Sequence, residues 1–392
     1  MAYFPKTVVA LLLAVCVPLG ASRAVVGEPA RIDPDDGPFN RLFGETSRAD
    51  KFFRPAVVPK EVADYPAQPA IRLFGDFHSH RTMLIAGGPV SRNCPGVLGS
   101  IVSAVAGKVN VVVLVADEDE RQLVKDELAK AKLPEDAVAF LTVPVESMWV
   151  RDWGPIFVFH NRPADGRSHL VAVDTEYQIR GRRQDNAIPP LVAKHFRARL
   201  DKAEILLEGG NLLSNGRGLC LTTTLINRNI ARGLEQADVL KMLVKHFGIR
   251  QTVVLEPLKG EHSGHVDVFA CFTSWHTVVV GSYDKSADPE NAAILDRNAK
   301  LLSQVKTLMG RLQVVRVPMG DNADGRFRTY TNGIFADGAF LLPRYKKDDT
   351  AADRRAVETF SRLLPKWKIQ RVDCEDLIKH DGALRCISGY VP

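Results

Sequence analysis

A thiol, an imidazole and two carboxylates stand at three separated places in the chain, each where an apolar run meets a turn. Cys386 closes "DGALRC", His265 and Asp267 share "HSGHVDVFACF", and Asp152 lies between Trp149 and Trp153 in "SMWVRDWGPIFVF". A cysteine attacks as its thiolate, and a base or an electropositive pocket makes that form available. A histidine can protonate a leaving group and then activate water. Two carboxylates match the planar fork of a guanidinium, and an indole such as Trp149 can cover the face of that cation for about 1–2 kcal/mol when desolvated. Singly, each has an ordinary structural reading. His-x-Asp makes local hydrogen-bonded pairs, Asp before Trp-Gly-Pro makes turns, and a lone thiol is often inert. Together they describe attack by a Cys386 thiolate on a guanidinium carbon held by Asp152 and Asp267.

The elements that must position these residues follow from the hydrophobic pattern. From about residue 82 short apolar runs read as strands, among them "VNVVVLVA", "IFVFH", "AEILLEGG", "GLCLTTTLI", "WHTVVVGSY" and "GIFADGAFLLPRY". Helical spacing is expected over 117–132, 234–248, 291–308 and 348–364. In the second of these Val239, Leu240, Leu243 and Val244 form the apolar stripe and Gly248 is the stop. Several strands per helix argue against a simple alternating βαβ sheet. The expectation is one mixed α/β domain over 71–392, preceded by a Pro-, Asp- and Arg-rich arm at 25–70.

The 392 residues are 45% hydrophobic and 25% charged, the balance of an ordinary globular protein. Lys6 followed by the apolar run Thr7 to Gly20, too short to span a bilayer, reads as a signal peptide over residues 1–24 with cleavage near Ala24. Export to the periplasm or beyond is the expected localisation, with no membrane association after cleavage. Loss of Lys6 and Arg23 takes the net charge from +6 to +4, too mild for nucleic acid as the main partner. Five cysteines then remain: Cys94, Cys220, Cys271, Cys374 and Cys386. Up to two disulfides could form, and the odd count leaves at least one thiol.

The blocks "MWVRDWGP", "EGGN…LCLTTTLINRN", "GHVDVFACF", "TYTNGIF…FLLPRY" and "ALRC", in this order from about residue 80 to 392, resemble the bacterial peptidyl-arginine deiminase and agmatine deiminase family of guanidino-group-modifying enzymes. The resemblance implies a single-domain, five-bladed α/β-propeller of pseudo-fivefold ββαβ units. It implies Cys386 as nucleophile, His265 as general acid/base, Asp152 and Asp267 as guanidinium ligands, and Trp149 lying on the substrate. No metal or organic cofactor is called for. Agmatine deiminases of the family carry Gly-Gly-Gly-Asn-Ile-His before the cysteine, whereas this chain has His380 to Arg385, "HDGALR". Arg180-x-Arg182 resembles the element with which peptidyl-type members hold the carboxylate of a C-terminal arginine. The expected substrate is therefore a peptidyl or C-terminal arginine, converted to citrulline and ammonia; the alternative is agmatine, converted to N-carbamoylputrescine. Two readings from other classes are a metal-dependent hydrolase through His78 and His80 of "GDFHSHR", with His262 and His265, and a non-catalytic binding protein on the same fold.

Overall fold

Five small sheets repeat one pattern. The protein is described here from a computed structural model that covers residues 51–58, 71–161, 168–177, 184–307, 310–345 and 350–392. The signal segment, most of the 25–70 arm, and Arg180 and Arg182 lie outside these residues. Of the arm, Ala56–Val58 forms a strand antiparallel to Gln251–Leu255.

Each unit runs strand, antiparallel strand, helix, parallel strand. The first is Ile156–Asn161, Ser168–Glu176, helix Ile188–His195 and Arg199–Leu206. The second is Leu213–Ser214, Leu219–Thr223, helix Gln236–Phe247 and Gln251–Leu255. The third is Ala270–Ser274, Thr277–Ser282, helix Pro289–Ser303 and Gln313–Pro318. The fourth is Ile334–Ala336, Ala339–Arg344, helix Ala351–Leu363 and Lys368–Asp373. The fifth joins both halves of the chain: Ser388–Val391 pairs antiparallel with Thr82–Ala86, which leads through helices Gly87–Asn93 and Val97–Val105 to the parallel strand Asn110–Val115. Strands covered on both faces need no polar alternation, which explains the near-continuous apolar runs. Thr82–Ala86, Leu219–Thr223 and Gln251–Leu255 are buried at every position.

The two faces of each strand serve different neighbours, as a period of two dictates. In the fifth unit Met83, Ile85, Val111 and Val113 pack with Phe335, Phe340 and Phe360 of the fourth. Leu84, Ala86, Val112 and Leu114 pack with Phe157, Ala172 and Ile188 of the first. Val158, Val171 and Val173 of the first meet Val254, Leu243 and Phe247 of the second. Leu221, Val253 and Leu255 of the second meet Phe272, Val278 and Val280 of the third, and Val279 and Val317 of the third join the cluster of the fourth.

Local signals account for the helices. Gly248 stops helix Gln236–Phe247 at φ +66, its N–H donating back to Leu243 and Val244. The buried stripe is Val239, Leu243, His246 and Phe247, so Val244, expected inside, faces solvent. The helix expected over 291–308 ends at Ser303, because Lys306–Thr307 turns into a short hairpin with Gly310–Arg311. Among the described residues no helix is long and apolar enough to cross a membrane.

Candidate active site

The first strand of every unit is entered from a turn that carries a polar side chain into one buried cluster. Asp152 sits in the short helix Val150–Trp153, ahead of Ile156. Glu208 precedes the turn Gly209–Asn211, ahead of Leu213, and His265 and Asp267 flank the start of the turn Val266–Val268, ahead of Ala270. Asn332 precedes Ile334, and Cys386 precedes Ser388. Loops carried by a rigid scaffold are where functional residues concentrate, and here the turns ahead of five first strands come into contact.

Contacts across these loops are short and specific. His265 Nε2 meets Glu208 Oε2 at 2.7 Å, and its Nδ1 lies 3.7 Å from Asp152 Oδ1. Asp152 Oδ1 also accepts the Gly210 N–H at 3.0 Å. A Cβ on Gly210 would collide with both His265 Nδ1 and Asp152 Oδ1, so only glycine lets the three loops close. Asn332 clamps Cys386. Its Nδ2 donates to Cys386 Sγ at 3.3 Å, while its Oδ1 accepts the N–H groups of Arg385 at 2.9 Å and Cys386 at 3.3 Å. Arg151 donates its backbone N–H to the Cys386 carbonyl at 3.2 Å and lays its guanidinium on Tyr390, 4.7 Å from the ring centroid. Trp149 is half-buried and so close to Gly382 that a Cβ there would collide with its six-membered ring. Trp153, by contrast, is core: it is buried and donates Nε1–H to Ser147 Oγ at 3.0 Å.

The electrostatics are those of a crowded acidic site. Burial drives the Asp152 carboxyl up to about 7, with the charges of Glu208 and Asp267 adding to it and His265 opposing. Burial would lower His265, but Asp152 and the bonded Glu208 outweigh it and push the imidazole up to about 10. It is an imidazolium at neutral pH. Glu208 is held below its ordinary range, burial being overcome by His265 and Arg228. Burial and the Asp267 and Asp152 charges keep Cys386 protonated well above the ordinary thiol value.

Asp267 is wholly buried and unevenly used. Its Oδ2 accepts from the Arg385 guanidinium at 2.7 Å, while its Oδ1 has no hydrogen-bond partner among the described residues. Half of a carboxylate expected to receive substrate is thus taken by the chain's own arginine. Arg385 stands immediately before Cys386 in the chain. It does not point to solvent, being buried, and it also reaches Asp76 Oδ2 through Nε at 2.6 Å.

The other expectations divide cleanly. Cys386, His265, Asp152, Asp267 and Trp149 come together; Arg180 and Arg182 lie outside the described residues. His78 and His80 do not form a ligand pair. His78 Nδ1 bonds to Gly75, and His80 Nε2 bonds to the Asp76 carbonyl at 2.9 Å with its ring stacked on Tyr390. Among the described residues no group of three His, Cys, Asp or Glu could hold a metal. Cys94, Cys220, Cys271, Cys374 and Cys386 are all buried free thiols, so the disulfides thought possible are not formed. Glu208, Asn332 and Asp76 were not among the expected site residues. The signal for the first two was positional: each stands just ahead of a first strand, as Asp152, Asp267 and Cys386 do.

A cleft reaches Cys386 and Asn332 past Thr329, Ile378 and Ala383, with Glu261, His262 and Asp381 on its wall. Asp152, His265 and Asp267 are not part of its lining. What the arrangement can do is hold a cationic planar group against carboxylates, present a sulfur to it, and pass protons through an imidazolium.

A family model described as Porphyromonas-type peptidyl-arginine deiminase matches residues 90–392. The agmatine deiminase of Ectopseudomonas mendocina (strain ymp) is 25% identical over 304 residues, 68% of this chain and 80% of that one. Among solved structures, the C. jejuni agmatine deiminase superposes with a TM-score of 0.70 at 22% identity, covering 83% of this chain and 98% of that one. A variant of that enzyme with substrate bound superposes at 0.67, again at 22% identity, with the same coverage.

Proposed function

The chain belongs to the Porphyromonas-type peptidyl-arginine deiminase family, and from that premise we propose that it hydrolyses a guanidino group to a ureido group and ammonia through Cys386. Its reaction class is that of a hydrolase cleaving C–N bonds of linear amidines. The observation that carries the reading is the meeting of five loops on one thiol, one imidazolium and a carboxylate set in which Asp267 Oδ1 is buried and unpartnered. A guanidinium N–H would supply the missing bond.

In this reading the substrate cation enters between Asp152 and Asp267 and offsets the negative charge that holds the Cys386 proton. The Cys386 proton passes to solvent, and the thiolate attacks the guanidinium carbon, the C–S bond forming as the C=N π pair moves onto nitrogen. His265, an imidazolium, gives its proton to one nitrogen, the C–N bond breaks and ammonia leaves. A thiouronium remains on Cys386. Neutral His265 then takes a proton from water, and the hydroxide adds to the same carbon. Collapse breaks the C–S bond, returns the thiolate and releases the ureido product, whose surplus oxygen-bound proton passes to solvent. Glu208 keeps His265 oriented and charged at the first proton transfer.

Five blades of an α/β-propeller are the architecture we assign. It is supported by the five ββαβ units and by side-chain packing that passes from each unit to the next and from the fifth to the first. Pseudo-fivefold symmetry would place the five polar loops at one end of its axis.

For the substrate, we favour arginine at a peptide C-terminus or within a peptide, yielding citrulline, with Arg180 and Arg182 receiving the carboxylate. Agmatine is the second reading, and one observation favours it. The cleft wall carries Glu261 and Asp381 and, among the described lining residues, no lysine or arginine, which suits an amine tail. Incubating the protein under reducing conditions with agmatine, free arginine and a peptide ending in arginine, and assaying ureido product and ammonia, decides among these. Cys386→Ala is expected to abolish every turnover. Turnover of none of the three by the folded wild-type protein would sink the deiminase reading.

A further inference from the structure

The reaction as written needs one cation from the protein, His265, yet the site holds a second buried one that no proton transfer uses. Arg385 is the residue immediately before the nucleophile, and its side chain is 3% exposed. Four separate hydrogen bonds fix its guanidinium. Nε donates to Asp76 Oδ2 at 2.6 Å, Nη1 to Asp267 Oδ2 at 2.7 Å and to the Gly209 carbonyl at 3.1 Å, and Nη2 to the Leu212 carbonyl at 3.3 Å. Its backbone N–H is held by Asn332 as well. A fork with most of its donors engaged in this way has one available orientation.

Its partners have unequal freedom. Asp76 belongs to the segment between strands Ile71–Leu73 and Thr82–Ala86, over 300 positions away in sequence from Arg385. Asp267, on the turn of the third unit, spends Oδ2 on Arg385 and leaves Oδ1 buried without a partner. A free carboxylate can turn about its last bond and offer either oxygen or both. This one is pinned.

We propose that Arg385 is a positioning and selectivity residue: by occupying Asp267 Oδ2 it fixes the carboxylate so that Oδ1 alone meets the incoming amidinium, and Asp76 acts only by holding Arg385 in place. This rests on the deiminase reading of the site and adds to it a reason for the arginine at this position. Asp76, Arg385 and Asp267 form one chain of charge-assisted bonds from the amino-terminal segment to the substrate carboxylate. Arg385 touches no substrate and acts through Asp267.

The test uses the whole chain with Arg385→Met, Arg385→Lys, Asp76→Asn and the Arg385→Met/Asp76→Asn double variant. Two readouts separate the inference from the reading beneath it. The first is kcat and KM on whichever guanidine the wild type turns over. The second is independent of turnover: the rate at which Cys386 is alkylated by chloroacetamidine, a cationic amidinium, divided by its rate with neutral iodoacetamide. The wild type is expected to prefer the amidinium. Arg385→Met should lose at least tenfold of that preference and of kcat/KM, while Arg385→Lys, which keeps a cation for Asp267, recovers most of both. Asp76→Asn should lose threefold or more, and the double variant should be no worse than Arg385→Met, since Asp76 acts through it. Turnover of no guanidine sinks the deiminase reading and leaves the alkylation ratio to judge Arg385. No amidinium preference in the wild type, less than threefold loss in Asp76→Asn, or single effects that multiply in the double variant would each overturn the proposal. If Arg385→Met fails to fold, Asp76→Asn decides, because it leaves Arg385 and Asp267 in place.

Discussion

At the scale of single residues, the site is a set of acids and bases whose pKa values are moved by burial and by one another's charges. Asp152 must be a carboxylate to receive a cation, and it is raised to about 7, so kcat/KM is expected to fall as pH drops through about 7. His265 must carry a proton to expel ammonia, and it is raised to about 10, so the same parameter falls as pH rises through about 10. A rate profile without a fall on the acid side near 7 would contradict the assignment of Asp152. Glu208 supplies much of the upward push on His265 by its bond and its charge. Glu208→Gln keeps the acceptor and removes the charge. It should move the basic limb to lower pH and cost roughly 100-fold in kcat, the low end of what a positioned proton donor contributes, with KM little changed. Cys386, His265 and the two aspartates were legible in the sequence because their types carry chemistry wherever they stand. Glu208, Asn332 and Asp76 were not, because their importance lies in pairings 57, 54 and 309 positions long with residues that the chain does not otherwise place beside them.

At the scale of elements, what matters is how tightly turns from different units can close. Gly210 is the contact point of three of them, and a methyl group there would strike His265 and Asp152 together. Gly210→Ala should therefore cost at least roughly 100-fold in kcat/KM, the penalty expected of a displacement near 1 Å. Far-UV circular dichroism should stay that of the wild type; unchanged kinetics would show that the loops have slack. The same scale explains which elements could be read. The helix ending at Gly248 followed from its stripe and its stop. Helices Gly87–Asn93 and Ile188–His195, each with a proline in its first turn, were not among those expected. Proline in the first turn gives up only an N–H that has no partner there, so these prolines begin their helices instead of ending them.

At the scale of the molecule, the α/β class was visible in the density of apolar runs, but the repetition was not. The units share only a hydrophobic pattern and a connectivity, while their helices run from 7 to 15 residues and their first strands from 2 to 6. Closure between units was equally hidden, since it depends on side chains such as Tyr390. Its hydroxyl oxygen accepts the buried Phe335 N–H at 3.0 Å, tying the first strand of the fifth unit to the first strand of the fourth. Tyr390→Phe keeps the ring and leaves that N–H unmatched, at a cost of about 1–3 kcal/mol. A urea midpoint lowered to match, with an unchanged slope, is the expected result; an unaltered midpoint would show that this tie contributes nothing.

The fifth unit also sets a timetable. Thr82–Ala86 leaves the ribosome roughly 300 residues before Ser388–Val391, the strand that covers its other edge. At synthesis rates of roughly 5–20 residues per second, that edge waits about 15 seconds to a minute for its partner. Met83, Leu84 and Ile85 then present an unpaired apolar edge to any neighbouring chain. Cys386 arrives with the strand that ends this wait, two residues ahead of it. In the proposed reaction an unfinished chain is thus both sticky and inert, and the same few residues that make it safe from its neighbours also make it reactive.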